Sequence, residues 1–249
     1  MANQNFNTFG RTGSVADQAT FDAGLRAHMI RVYNYMASGL ALSGIVAFGL
    51  FSSPQLASLF FQVAPGNHVV GLNMLGWVAI LAPLGLLMFT SFRAAQISVR
   101  GLQAVYWGVT ALMGVSLSLL LFRYTGASVA RTFFVTAASF GALSLYGYTT
   151  KRDLSPIGSF LVMGMFGLIL AMVVNIFLKS TGLDFAISAI GVLIFAGLTA
   201  WDTQNIKEMY SANDDGTVSG RKAVMGALKL YLDFINLFLF MLRFMGDRR

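Results

Sequence analysis

The chain has 249 residues, 56% of them hydrophobic and only 11% charged, with a mean hydropathy of +0.69. Soluble chains carry roughly 45–50% apolar and about 25% charged residues, so one aqueous domain of this length has no core large enough to hide these side chains. Cysteine is absent, which excludes disulfides and thiolate metal sites, and the net charge of +7 comes mainly from residues between apolar runs, where they orient a membrane protein rather than bind nucleic acid.

In chain order, the polar opening MANQNFNTFGRTG is not followed by a short apolar stretch and a small-residue cleavage site, so no removable signal peptide is expected. Residues 1–20 read as a polar, flexible cytoplasmic tail. Residues 21–32 read as an amphipathic helix on the membrane surface: Phe21, Leu25, Met29 and Val32 share one face, and Asp22 and Arg26 form an i,i+4 pair on another. Residues 33–249 then form a transmembrane domain. Seven apolar runs cover Tyr33–Phe51, Asn73–Phe92, Leu102–Phe122, Thr132–Tyr148, Pro156–Leu178, Phe185–Trp201 and Ala223–Phe244. Each approaches the roughly 20 residues a helix needs to cross hydrocarbon. Helices satisfy their own backbone hydrogen bonds in lipid, and the runs lack the period-two alternation of a membrane barrel. The expected class is an all-α integral membrane protein.

Small residues recur within the runs, with Gly39, Ala41 and Gly44 in the first and Gly158, Gly164 and Gly167 in the fifth. They serve close helix packing, because apolar burial between helices gains little from lipid. Ser155 and Pro156 read as cap and first residue of a helix. His28 and His68 both lie outside the runs and have no second histidine at ligand spacing, so they read as interfacial residues. With the N-terminus cytoplasmic, that side collects ten loop or tail Lys and Arg against three on the other, Arg123, Arg131 and Lys179. The positive-inside rule therefore places the N-terminus in the cytoplasm. A seventh full crossing puts Arg243, Arg248 and Arg249 outside, against that rule, which leaves a tilted or re-entrant last segment open.

Of ten acidic residues, only Asp202 and Asp233 fall at the end of or inside a run. An aspartate at the centre of a membrane helix costs on the order of 2.5–3.5 kcal/mol, so a partner, a proton or a water-filled cavity must offset it. Asp233 lies eleven residues beyond Lys222, about 16 Å deep at the helical rise, and Asp202 is shallower, five residues before Lys207. Lys229 and Asn236 share a helical face with Asp233 and are candidate pore-lining polar residues. The alternative for Lys229 is to snorkel back to the interface on its long stem. No acidic residue in the third run can serve as counter-ion to a retinal lysine. No histidine lies in a run to serve a serine protease or metalloprotease, so no enzymatic activity is expected.

The segment Leu228-Lys229-Leu230-Tyr231-Leu232-Asp233-Phe234-Ile235-Asn236-Leu237-Phe238, with Thr149-Thr150-Lys151-Arg152-Asp153-Leu154-Ser155 and Trp201-Asp202-Thr203-Gln204-Asn205-Ile206, closely resembles the Bax-inhibitor (transmembrane Bax inhibitor motif) family. The run from Arg31 to Leu40 is similar to its bacterial branch, and the resemblance extends from about Leu25 to Met245. It implies six helices around a central, C-terminal seventh. It also implies that Asp202 and Asp233 share a proton and gate a cation leak, chiefly of calcium, as a pH sensor and weak, transient calcium site. Calcium enters as permeant ion, with no resident cofactor. Arg93 matches the family's basic latch at the cytoplasmic end of the second helix, with Arg100 as a competitor. Some relatives carry an acidic residue in the second helix. The Asn73–Phe92 run has none, which weakens the expectation of calcium selectivity.

Two close carboxylates in a low dielectric cannot easily both ionise, so the pair titrates as a unit. The expected function is a pH-sensitive cation leak in the bacterial inner membrane. The alternative is a non-conducting regulator of a membrane-bound AAA protease, with the N-terminal tail as its handle.

Overall fold

The computed structural model describes residues 7–64, 68–93 and 96–248, with side chains from residue 18 onward apart from His68. Helix α1 (Asn7–Ser52) leads into a one-turn helix α2 (Pro54–Ala57) and a hairpin of β1 (Phe61–Ala64) and β2 (His68–Leu72). Six long helices follow: α3 (Met74–Arg93), α4 (Val99–Arg123), α5 (Gly126–Thr149), α6 (Ser155–Leu178), α7 (Thr181–Glu208) and α8 (Gly216–Met245). Seven helices, α1 from Gln18 and α3 to α8, are long and apolar enough to cross a bilayer. The protein is an all-α membrane protein of seven transmembrane helices.

The expected runs all become helices, but several extend further. Residues 21–32 are not a separate surface helix: α1 is continuous from Asn7, since nothing between Gly24 and Gly39 breaks it. Met29, Val32 and His28 are buried against the bundle. Of the expected tail, residues 1–6 lie outside the described residues, and the chain is helical from Asn7. The loop before α3 is folded: Phe61 and Ala57 pack with Leu50, Ala79 and Val115 in a small cluster, and Asn73 caps α3 by accepting from Gly76 N–H at 2.9 Å.

Below, the near end of the bundle is the one where α8 starts, and the far end the one where it finishes. Helix α8 makes a full crossing. Asp247 pairs with Arg131 at 2.8 Å and Arg248 bridges to Tyr124, which pins the C-terminal segment at the far end beside the α4–α5 turn. The last helix is therefore not re-entrant.

Helix α8 is also the most buried of the seven: 67% of its apolar window is buried, against 6% for α6. Among the described residues it packs chiefly against α1, α4, α5 and α7, a ring of four where six were expected. Helix α3 packs on α4, and α6 on α7, as outer helices that turn Trp77, Leu81, Phe160 and Phe166 to the surroundings. Between them the ring is open, because α4 and α7 do not close over α8. The opening leaves one stripe of α8 partly exposed: Met225, Lys229, Leu232, Asn236, Leu239 and Arg243. Their alternating four- and three-residue spacing puts them on a single face, along this lateral cleft.

Close packing uses some of the expected glycines. A Cβ at Gly39 would collide with Tyr106, and one at Gly158 with the Trp201 indole, whereas Gly44 and Gly167 face open space. At Gly147 a Cβ would run into the backbone of Ala200, so α5 and α7 touch main chain to main chain two residues before Asp202.

Candidate functional site

Helix α7 continues past the expected end at Trp201 to Glu208, because Thr203, Gln204 and Ile206 are buried there and prolong the packed face. Asp202 therefore sits within the helix rather than at its end. Asp202 and Asp233 are 3% and 6% exposed and lie across the contact between α7 and α8, each in the other's electrostatic field. A hydrogen bond between two carboxyls requires a proton on one of them. Oδ2 of Asp233 is buried with no hydrogen-bond partner.

The cation at this pair is Lys229. Its Nζ lies 2.6 Å from Asp202 Oδ1 and 4.9 Å from the centroid of the Trp201 ring. The stem therefore runs across to α7 instead of snorkelling to the interface. The lysine side chain is 40% exposed on the cleft side while Asp202 is almost wholly buried, so Lys229 stands between the cleft and the carboxyls. Trp201, which flanks the ammonium, is seated in the space that Gly158 leaves on α6.

Arg93 is not near this pair. It is exposed in the last turn of α3, with its guanidinium 5.9 Å from the Phe89 ring, on a helix that packs on α4 rather than on α7 or α8. Arg100 is likewise exposed on α4. Asn236 lies on the cleft stripe and donates to Leu232 O at 2.8 Å, two helical turns from Lys229 toward the far end. Among the described residues no three His, Asp or Glu side chains converge, so the two aspartates stand without a third acidic ligand.

Sequence reasoning missed the polar groups that hold α7 in place. Tyr33 OH lies 2.6 Å from Ser144 Oγ, which lies 2.9 Å from Thr203 Oγ1, so α1, α5 and α7 are linked beside Asp202. Gln204 receives Leu154 N–H on Oε1 and donates to Arg152 O, both at 2.9 Å, and Lys207 Nζ donates to Tyr148 O at 2.8 Å. Two of the three motif segments thus bind each other: residues 149–155 form the loop that Gln204 clasps. The signal was present in that shared motif, but not its geometry. Ser155 is not the cap of α6; Leu154 holds that position, and the Asp153 carboxylate accepts from Ser155 N–H at 2.8 Å. Hydrogen bonds from the Ser155 N–H and hydroxyl hold the exposed Asp153 carboxyl below its ordinary range. His28 is 4% exposed, its ring beside Tyr210, and so is a packed residue rather than an interfacial one.

Residues 25–249 match the family model described as "Inhibitor of apoptosis-promoting Bax1". The chain is 48% identical to an uncharacterized protein of Caulobacter vibrioides, over 94% of each chain. It is 46% identical to an uncharacterized protein of Rickettsia prowazekii, over 92% of this chain and 93% of that one. It is 43% identical to the inner membrane protein YbhL of Escherichia coli, over 91% and 94% respectively. By a family match over nine-tenths of its length and relatives well above 30% identity, the chain belongs to the Bax-inhibitor family of membrane proteins.

Proposed function

We propose that this protein is a pH-sensitive cation leak of the bacterial inner membrane, its N-terminus cytoplasmic, gated by the Asp202–Asp233 pair and clamped by Lys229. The observation that carries the reading is the Lys229 ammonium at 2.6 Å from Asp202, one of two buried carboxyls on the packed helices α7 and α8. With one shared proton the three groups sum to zero charge: the ammonium offsets the single negative charge of the pair. That neutral state suits a buried site, since an uncompensated charge there is costly.

Loss of the shared proton leaves one net negative charge, and the carboxylates repel each other across the α7–α8 contact. A cation arriving along the cleft then competes with Lys229 for the pair. Calcium takes six to eight oxygens. Two aspartates with carbonyls or water supply a weak site, suited to passage rather than storage, and calcium is the permeant ion this reading takes first. Lys229 has the shape of a gate: half in the cleft, half on Asp202.

The test is influx into liposomes that hold the purified protein and a calcium indicator, from about pH 6 to about pH 8. Flux that rises with pH in the wild type and loses that dependence in Asp233→Asn supports the leak. No flux above empty liposomes overturns it and moves the function to the non-conducting regulator of a membrane-bound AAA protease.

A further inference from the structure

The exposed stripe of α8 ends, at the far end, in a cavity of about 600 Å³. That volume lies within the ~300–1,000 Å³ of ordinary ligand sites. Its mouth carries Arg123, Arg243 and Arg248 against one carboxylate, Asp184. Asp184 is shared: Arg243 Nε is 3.5 Å from one oxygen and Arg248 is 3.6 Å from the other, both longer than the 2.7–2.9 Å of a tight charge-assisted hydrogen bond. Arg123, exposed in the last turn of α4, has no carboxylate within ion-pair distance among the described residues. Nearby Arg131 differs in having Asp247 to itself at 2.8 Å.

Among the described residues, three guanidiniums with one shared counter-ion leave an excess of two positive charges at one spot. The spot sits at helix ends: Arg123 closes α4, Arg243 lies in the last turn of α8, and Asp184 in the first turn of α7. Helix ends of membrane length lie at headgroup depth. Inward from the arginines the wall turns apolar, with Leu168 and Met172 of α6 facing Leu239 of α8, and Asn236 lines the cavity seven residues before Arg243. The cavity spans α4 and α6, which do not pack on each other, so its side is open toward lipid. A basic mouth at headgroup depth over an apolar, laterally open slot fits one chemistry: a phosphate that carries a hydrocarbon tail.

We infer that this cavity binds an anionic phospholipid from the outer side of the bundle, its phosphate on Arg123, Arg243 and Arg248 and one acyl chain along Leu168 and Met172 toward Asn236. Guanidinium forks match phosphate oxygens in pairs, which makes arginine the residue for such a contact. Basic pockets between transmembrane helices hold lipid headgroups in this way. The site is independent of the gate: its occupant is a lipid whether or not the protein conducts.

Native mass spectrometry of the full chain in an uncharged detergent tests this, with equal additions of phosphatidylglycerol, phosphatidylcholine or inorganic phosphate. Each arginine near a headgroup contributes about 1 kcal/mol, or about fivefold in affinity. The expected result is preferential binding of phosphatidylglycerol, weakened about fivefold by Arg123→Gln and further by Arg123→Gln with Arg243→Gln, but unchanged by Arg131→Gln. Arg123→Gln removes an exposed side chain with no acidic partner, so it reports on binding without loss of fold. Equal retention of the two lipids, or a preference indifferent to Arg123→Gln, overturns the inference. Inorganic phosphate that displaces phosphatidylglycerol at equal concentration also overturns it, since the site then recognises a free anion and not a lipid.

Discussion

Lys229 and Asp202 meet across the α7–α8 contact at 2.6 Å, and the lysine stands one helical turn before Asp233 on the same helix. One element thus delivers both the cation and one of the two acids, while α7 delivers the other acid. A small turn or slide of α8 moves the ammonium and the Asp233 carboxyl together relative to Asp202.

Replacing Lys229 by Met leaves the buried Asp202 charge without its partner. Breaking a buried pair costs 3–5 kcal/mol, and the half-exposed lysine lowers this to about 1–3 kcal/mol of stability. Unfolding in detergent should show that loss. Lys229→Met combined with Asp202→Asn should recover most of it, because the charge left stranded in the single variant is gone. Equal, additive losses would mean that the two residues do not interact.

Gly147→Ala tests the close approach of α5 and α7. The added methyl meets the main chain of Ala200, which has no rotamer to change, so the helices must part. Overpacking of this kind costs about 1–3 kcal/mol. Gly44→Ala, on the surface of α1 with nothing near it, should be neutral in the same melting experiment.

Gln204→Ala removes both bonds that clasp the α5–α6 loop and leaves the Leu154 N–H and Arg152 carbonyl unpaired. The expected cost is about 1–3 kcal/mol, with faster proteolysis between residues 150 and 155 as the specific sign. An unchanged cleavage rate would place the loop's order elsewhere.

The same loop has a pH dependence with a definite sign. Asp153 is held below the ordinary carboxylate range by its hydrogen bonds with Ser155. Its contribution is therefore complete above the usual value near 3.9 and is lost as pH falls through the lowered one. Loop cleavage by an acid-stable protease should accelerate in that acid window for the wild type. Asp153→Asn should flatten the response, and a variant as acid-sensitive as the wild type would contradict the assignment.

Much of this was legible in the residues. The apolar runs gave all seven helices, and two aspartates where lipid tolerates few charges marked the pair that the structure brings together. What stayed hidden was rotation. Lys229 reads equally well as a snorkelling stem or as a partner, because sequence spacing fixes its face on α8 but not which helix lies opposite. Arg93 has the right place along α3 for a latch, yet α3 packs on α4 and carries it away. The full length of α7 was also hidden, since its last two turns are largely polar in sequence and are held by tertiary bonds: Gln204 clasps a loop some 50 residues distant, and Thr203 meets Ser144 on α5. Helix ends held by tertiary hydrogen bonds leave no hydropathy signal.

In the proposed mechanism the Asp202–Asp233 pair holds one proton whose loss opens the protein. Infrared spectroscopy of the protein in liposomes reads this directly, through the C=O stretch of a protonated carboxyl shielded from water. Titrated from about pH 5 to about pH 9, one such band should fade over the range in which calcium flux rises, and it should be altered in both Asp202→Asn and Asp233→Asn. A wild-type spectrum without that band, or a band that both variants leave intact, would contradict the shared proton and the gate built on it.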